Sequence, residues 1–230
     1  MMQYIRKTPT FLLCILALLL IDSCRKDFSA TAEHKASYGW EMYELKDYLN
    51  SKEWFTNSVM TNEKWKDGYN GLGWSYAKLL ELDSLDTENI GSIRTFHRGL
   101  IQPKDPWNST DVHLEILAGL TFAYHAKGNN SEAVKFGSAL IDSTLIGLNP
   151  SRWHSWAFSH DSTLNYLDLR ITMASSYFAL AKFDSTHKHL KVVLDSLGSS
   201  SLLINDYSTL LGRQKVAQQL DSLQKVLQQK

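Results

Sequence analysis

The chain has almost no cysteine. Of its 230 residues only Cys14 and Cys24 carry a thiol, and Cys14 lies inside an apolar run, residues 11–21. A chain processed after that run keeps one thiol, which excludes an internal disulfide, so the fold must hold by packing alone. Excess charge is missing too. Its 24 basic and 24 acidic side chains balance, so no basic surface for nucleic acid is indicated. The run of eleven apolar residues is too short to cross a bilayer unaided. Catalytic signatures are absent: there is no HExxH, CxxC pair, GxSxG, phosphate-binding glycine-rich loop or Cys-His pairing. His154, His160 and Asp161, with His187 and His189 further on, are the only cluster with ligand chemistry. Two histidines at i and i+2 diverge on a helix, and the spacing matches no metal motif. The sequence therefore points away from an enzyme and calls for no cofactor or metal. With 43% apolar and 21% charged residues it belongs among ordinary globular chains rather than disordered ones.

What is present begins at the front. Arg6 and Lys7 precede the apolar run, which has the length of a signal-peptide core. Ile21, Asp22, Ser23 and Cys24 follow at once, and this stretch resembles a bacterial lipobox, with Asp22 in place of the usual small residue. The resemblance implies cleavage before Cys24 and acylation of its thiol. Several acyl chains, each adding about 0.8 kcal/mol per buried methylene, would make the anchor stable. The expected organisation is a signal peptide at 1–23 and a polar tether at 24–34, with a domain in water beyond it. A soluble-export signal with a chance cysteine is the alternative.

The domain is read from the stretch DGYNGLGWSYAKL, residues 67–79. Tyr69, Leu72, Gly73 and Tyr76 are spaced by three, one and three, and 34 residues earlier YGWEMYEL answers LGWSYAKL, with Gly39 over Gly73, Trp40 over Trp74 and Leu45 over Leu79. Apolar residues recur at helical spacing from Ala36, and Asp47 starts a second helix. A second pair opens at Trp65 and continues, after a loop at 83–88, in a helix over 89–101 where Ser92, Phe96 and Gly99 stand at small-Phe-small spacing. Pro103 and Pro106 end it. In the third pair Leu117, Leu120, Tyr124, Gly128 and Ala133 take the repeat positions. Thr110 or Asp111 caps its first helix, Ser131 its second, and Gly128 suits a left-handed exit. The fourth pair runs over 164–180 and 184–197, with Tyr177, Phe183 and Leu190 in repeat positions and Ala181 where a turn glycine belongs. A last helix over about 206–228 carries Val216, Leu220, Leu223 and Leu227 on one stripe, suited to closing a repeat array or to a short coiled-coil dimer.

These residues resemble the tetratricopeptide repeat (TPR), and with the lipobox the chain is similar to TPR lipoproteins of the Bacteroidota. The resemblance implies an all-α, right-handed TPR-like α-solenoid of about four helix pairs, at 35–64, 65–107, 110–147 and 164–199 within 35–200. An aromatic insertion interrupts it at 148–163, and a C-terminal capping helix follows at 205–230. It further implies a concave groove lined by the first helices. Its ninth positions are Trp40, Trp74, Phe122 and Ser175, and its second positions are the acidic Glu33, Asp67, Glu115 and Asp168. Basic residues that clamp a terminal carboxylate in some TPRs are missing. The implied ligand is an extended or helical partner segment with apolar anchors and a basic flank; packing of the same rings between repeats is the alternative.

Trp153, Trp156 and Phe158 make the insertion aromatic, fit to stack on a sugar or a partner or to plug the seam between repeats. The expected function is a membrane-anchored scaffold of the bacterial cell envelope, at the outer membrane facing the periplasm, acting as a monomer or within a complex of envelope proteins. A glycan-binding or uptake accessory lipoprotein and an outer-membrane assembly factor are the alternatives. Asp-Ser pairs such as Asp83-Ser84, Asp195-Ser196 and Asp221-Ser222, each followed by Leu, also resemble a short O-glycosylation motif of exported Bacteroidota proteins, and helix capping explains some of them equally well.

Overall fold

In the first helix pair the chain returns on itself. Helix α1 (Ala32–Glu44) and helix α2 (Tyr48–Thr61) are antiparallel: Ser58 donates to the Ala32 carbonyl, Tyr38 stacks on Trp54, and Tyr43 meets Tyr48. Helices α3 (Lys66–Lys78), α4 (Ser92–Leu100), α5 (Val112–Ala126) and α6 (Asn130–Gly147) follow. A hairpin of β1 (Ala157–Phe158) and β2 (Asp161–Asn165) leads to α7 (Tyr166–Ala179), α8 (Phe183–Ser196) and α9 (Leu210–Gln228). The computed structural model describes residues 29–82, 90–106, 111–147, 156–198 and 203–229. The expected signal segment, Cys24, the loop at 83–88 and Trp153 lie outside the described residues. Residues from Thr31 onward form one compact unit.

The molecule is predominantly helical and built by neighbour packing. Each helix from α1 to α7 lies against its successor, α7 lies against α8, and the odd-numbered helices α1, α3, α5, α7 and α9 also touch in series. They form a row, and α2, α4 and α6 each lie against the two odd-numbered helices that flank them in sequence. No helix among the described residues is long and apolar enough to cross a membrane.

Two devices recur along this row. The first is the exit from each first helix. Lys46, Leu80, Gly128 and Ala181 all take positive φ, at 63°, 58°, 78° and 56°. Each sits two residues past its helix, and the next amide bonds back to the carbonyl of Met42, Tyr76, Tyr124 or Tyr177. This is the Schellman exit, which satisfies the last free carbonyls and turns the chain into the second helix. Only one of the four positions carries the glycine that suits it.

The second device is a ring in a slot. An added Cβ at Gly39 would lie 2.8 Å from the Phe55 ring, and one at Gly71 would strike the same ring. Phe96 is held likewise between Gly73, where a Cβ would come to 2.5 Å, and Gly119. Each phenyl of a second helix thus sits between glycines of two successive first helices, and both rings are fully buried. At the next seam the glycine is Gly137 of α6, facing Met173 and Thr121.

Caps differ from expectation in one place. Asp47 and Asp111 cap α2 and α5 as read, but α6 is capped by Asn129, whose side chain accepts from the Glu132 amide and also binds the Ser131 hydroxyl. Helix α3 has no side-chain cap of its own. Asp105 reaches across from the Pro103–Pro106 segment and accepts from the amides of Lys66 and Asp67, at 3.0 and 2.8 Å. At the other end, Val216, Leu220, Leu223 and Leu227 of α9 are buried with Ile171, Leu190 and Val193 in a second core cluster. The stripe is satisfied within the chain.

Two substitutions separate these devices by sign. Gly73→Val drives a branched side chain into Phe96 and should destabilise by about 1–3 kcal/mol, lowering Tm by several degrees. Leu80 is 82% exposed, so Leu80→Gly loses no packing and relieves left-handed strain of about 1–2 kcal/mol, partly offset by the freer unfolded chain. Calorimetry should show its Tm rise by about 1–3 °C. A fall in Leu80→Gly, or no change in Gly73→Val, would contradict these roles.

Candidate functional site

The face shared by α1, α3 and α5 is where chemistry collects. Trp40 and Trp74 stand one above the other on successive odd helices, as their common repeat position requires, and Phe122 follows with its ring 6.2 Å from that of Trp74. These rings do not line an open wall. Trp40 and Trp74 are buried and Phe122 is half-buried, because the insertion folds onto them.

The stretch around 157–165 is an antiparallel hairpin, pairing Ala157 with Asn165 and Phe158 with Asp161, rather than irregular chain leading into a helix at 164. Leu164 and Asn165 belong to β2. Helix α7 starts two residues later than expected, at Tyr166, because Asn165 and Asp168 form a capping box. The hairpin drives Phe158, 1% exposed, into the face. Its ring stacks on Trp74 with centroids 4.4 Å apart and meets Trp40 and Tyr43 edge-on at 5.9 and 5.8 Å. His160 lies flat on Trp40 at 3.6 Å and points Nδ1 at Glu44, 3.0 Å away. Trp156 is also buried, and its carbonyl accepts from the Tyr166 amide. Of the aromatic patch, Trp156 and Phe158 are therefore spent on packing.

The four acidic positions have four fates. Glu33 is exposed in the first turn of α1, and Asp168 closes the capping box of α7. Asp67 and Glu115 are buried under the hairpin. Asp67 accepts from Trp40 Nε1 at 2.9 Å. Glu115 accepts from the Ser159 amide and hydroxyl at 3.1 and 2.6 Å through one oxygen, and from Asn70 at 2.6 Å through the other. Among the described residues no lysine or arginine bonds either carboxylate.

Burial pushes the Asp67 carboxyl up to about 6, opposed by the Trp40 hydrogen bond and assisted by the nearby Glu115 charge. Burial raises Glu115 as well, against the bonds from Ser159 and Asn70. Three further polar atoms of this floor are buried without a hydrogen bond: Trp74 Nε1, the Tyr43 hydroxyl and Asn70 Oδ1. Outside the floor, Lys78 pairs with Asp161 at 3.5 Å. Ser159, Asn70 and Tyr43 escaped the sequence reading. Asn70 and Tyr43 share helices with the tryptophans and could have been placed by helical spacing, but nothing local links Ser159 to a carboxylate 44 residues away.

Histidine chemistry is dispersed. His160 is on the hairpin, while His189 lies beside Arg170, 3.2 Å from its Nη1; burial first and Arg170 second hold its pKa down to about 3. Arg170 also donates to the Tyr166 hydroxyl. Among the described residues no three His, Cys, Asp or Glu side chains gather as a metal site would need. The chain matches no known protein-family model and no curated protein.

The buried acid predicts a pH signature. A folded-state value of about 6 against an ordinary 3.8 means the folded chain holds this proton more tightly. The penalty is absent below pH 4, grows through pH 4–6 and is complete above, on the order of 3 kcal/mol. Asp67→Asn removes the charge and keeps an acceptor for Trp40. Relative to wild type, the variant should gain stability as pH rises from 4 to 7 in urea unfolding, and parallel profiles would refute the assignment.

Proposed function

We propose that this chain is a TPR-like solenoid, lipid-anchored through Cys24 in the bacterial envelope, that binds other envelope proteins through the face of its first helices. One observation carries this reading: the first helices repeat one Schellman exit and one ring-in-slot contact, and so align Trp40, Trp74 and Phe122 on a common face. Repeat arrays of this kind present extended binding surfaces and need a terminal helix to cover the last apolar edge, a role that suits α9. The spacing of residues 38–45 and 72–79 supports the same family. Enzymatic chemistry finds no support in the site, where both carboxylates are shielded beneath the hairpin.

Protein is favoured over glycan as the partner. Of the three rings a sugar site would use, Phe158 and Trp156 are buried against the helices and Trp153 lies outside the described residues, whereas the floor combines apolar rings with acids in the manner of a peptide site.

The test uses the full chain in native membranes, with a photo-crosslinking amino acid at Glu44 or Lys78, beside the hairpin. Both should crosslink the same envelope protein, and Cys24→Ser should release the chain from membranes and cut the yield. Crosslinks no stronger than from an exposed position far from this face, such as Val226 of α9, would overturn the partner reading. Membrane retention of Cys24→Ser would overturn the anchor.

A further inference from the structure

The hairpin is attached to the helix row as a ligand would be. Phe158 fills the slot and Ser159 supplies the hydrogen bonds, with Trp156 buried beside them, His160 flat on Trp40 against Glu44, and Asp161 against Lys78. A two-stranded hairpin is marginal on its own, so its place depends on these few contacts. They are imperfect in a specific way. Glu115 is 2% exposed and Asp67 8%, yet both receive only neutral donors: an indole, an amide side chain, a hydroxyl and a backbone amide. Buried carboxylates are ordinarily matched by a cation or by a full set of donors. The floor also holds two donors, Trp74 Nε1 and the Tyr43 hydroxyl, and one acceptor, Asn70 Oδ1, that the hairpin leaves unmet. The ring fits; the polar pairing beneath it is incomplete.

We propose that the face of α1, α3 and α5 is a docking site for an extended partner segment in which an aromatic residue is followed directly by lysine or arginine, and that Phe158 and Ser159 hold those two places as an intramolecular stand-in until the segment displaces them. The inference rests on the partner-binding reading above and gives it a chemistry. The aromatic of the partner takes the Phe158 position between Trp74, Trp40 and Tyr43. Its cation takes the position of the Ser159 hydroxyl against Glu115, replacing a neutral bond by a charge-assisted one and offsetting the burial of two acids. Charge around the site agrees: Glu44 on α1, Asp67 on α3 and Glu115 on α5 outnumber Lys78, which is engaged by Asp161 of the hairpin and freed when the hairpin leaves.

The experiment uses the full chain and two synthetic peptides, one with the sequence of residues 156–165 and one with lysine in place of the serine that corresponds to Ser159. In wild type, excess lysine peptide should raise hydrogen exchange at the Ser159 and Tyr166 amides, which bond Glu115 and Trp156 when the hairpin is seated. Phe158→Ala, with its stand-in ring removed, should bind the lysine peptide about tenfold more tightly than wild type does, and about tenfold more tightly than it binds the serine peptide. Glu115→Gln should erase that second preference. Unchanged exchange at Ser159 with lysine peptide in excess overturns the proposal, and this measurement decides even where Phe158→Ala fails to fold. Equal affinity for the two peptides overturns the cationic assignment. Hairpin displacement without an envelope crosslink would sink the partner reading alone; a crosslinked envelope protein that leaves Ser159 protected would sink the stand-in alone.

Discussion

A phenyl ring that only glycine can face sets the distance between neighbouring first helices. Phe55 reaches Gly39 on one side and Gly71 on the other, and Phe96 does the same with Gly73 and Gly119. Any side chain at these positions would push two odd-numbered helices apart, because the ring between them is fully buried and has nowhere to move. The spacing of the row follows, and with it the separation of Trp40 from Trp74. The slot into which Phe158 fits is therefore fixed from behind, by contacts on the opposite side of the same helices. Floor and seam are two faces of one constraint.

Some of this was legible in the sequence. Gly39 and Gly73 stood out because they recur at the repeat period beside a tryptophan, and Gly128 because a left-handed exit was needed there. The same exit at Lys46, Leu80 and Ala181 was hidden, since nothing in a lysine, leucine or alanine announces positive φ; the tertiary packing of each helix pair imposes it against local preference. Asp105 as the cap of α3 was hidden for another reason. It lies nearly forty residues from the amides it serves, beyond any local capping pattern. The helical class could be read because periodicity is local, and the caps and exits that depend on a neighbouring helix could not.

The hairpin marks the same limit at the site. Its sequence is short and carries no sustained alternation, so it read as irregular, and the register of five residues against two is set by where Phe158 lands rather than by β propensity. Trp40 and Trp74 both touch Phe158 and Phe122 lies beside Trp74, and of the four acidic positions only Asp67 and Glu115 are buried with them. An open wall requires the insertion to point elsewhere, and the alternative, rings that plug the seam, is nearer to the cover that Trp156 and Phe158 form. A segment rich in aromatic residues beside an apolar face has a strong reason to fold onto it, because the burial of one Phe side chain contributes about 1.5–3 kcal/mol.

If that cover were only structural, the residues beneath it would be poorly chosen. A plug over an apolar face is best served by apolar or fully bonded neighbours, and a glutamine at 115 could meet Asn70 and Ser159 without a buried charge. Instead the floor carries two acids with raised pKa values and three unmet polar atoms. Other acids are better met: Asp105 accepts two amides, Asp168 closes a capping box, and the exposed Asp195 and Asp221 pair with lysines at helical spacing. Unmet side-chain atoms also occur away from the hairpin, at Trp65, Ser92, Thr95 and Tyr207, so what sets the floor apart among the described residues is two carboxylates buried together without a cation. A pair of buried acids left without a cation supports the functional reading of this surface. The unmet donors and the uncompensated acids describe, by complement, the group that belongs between them.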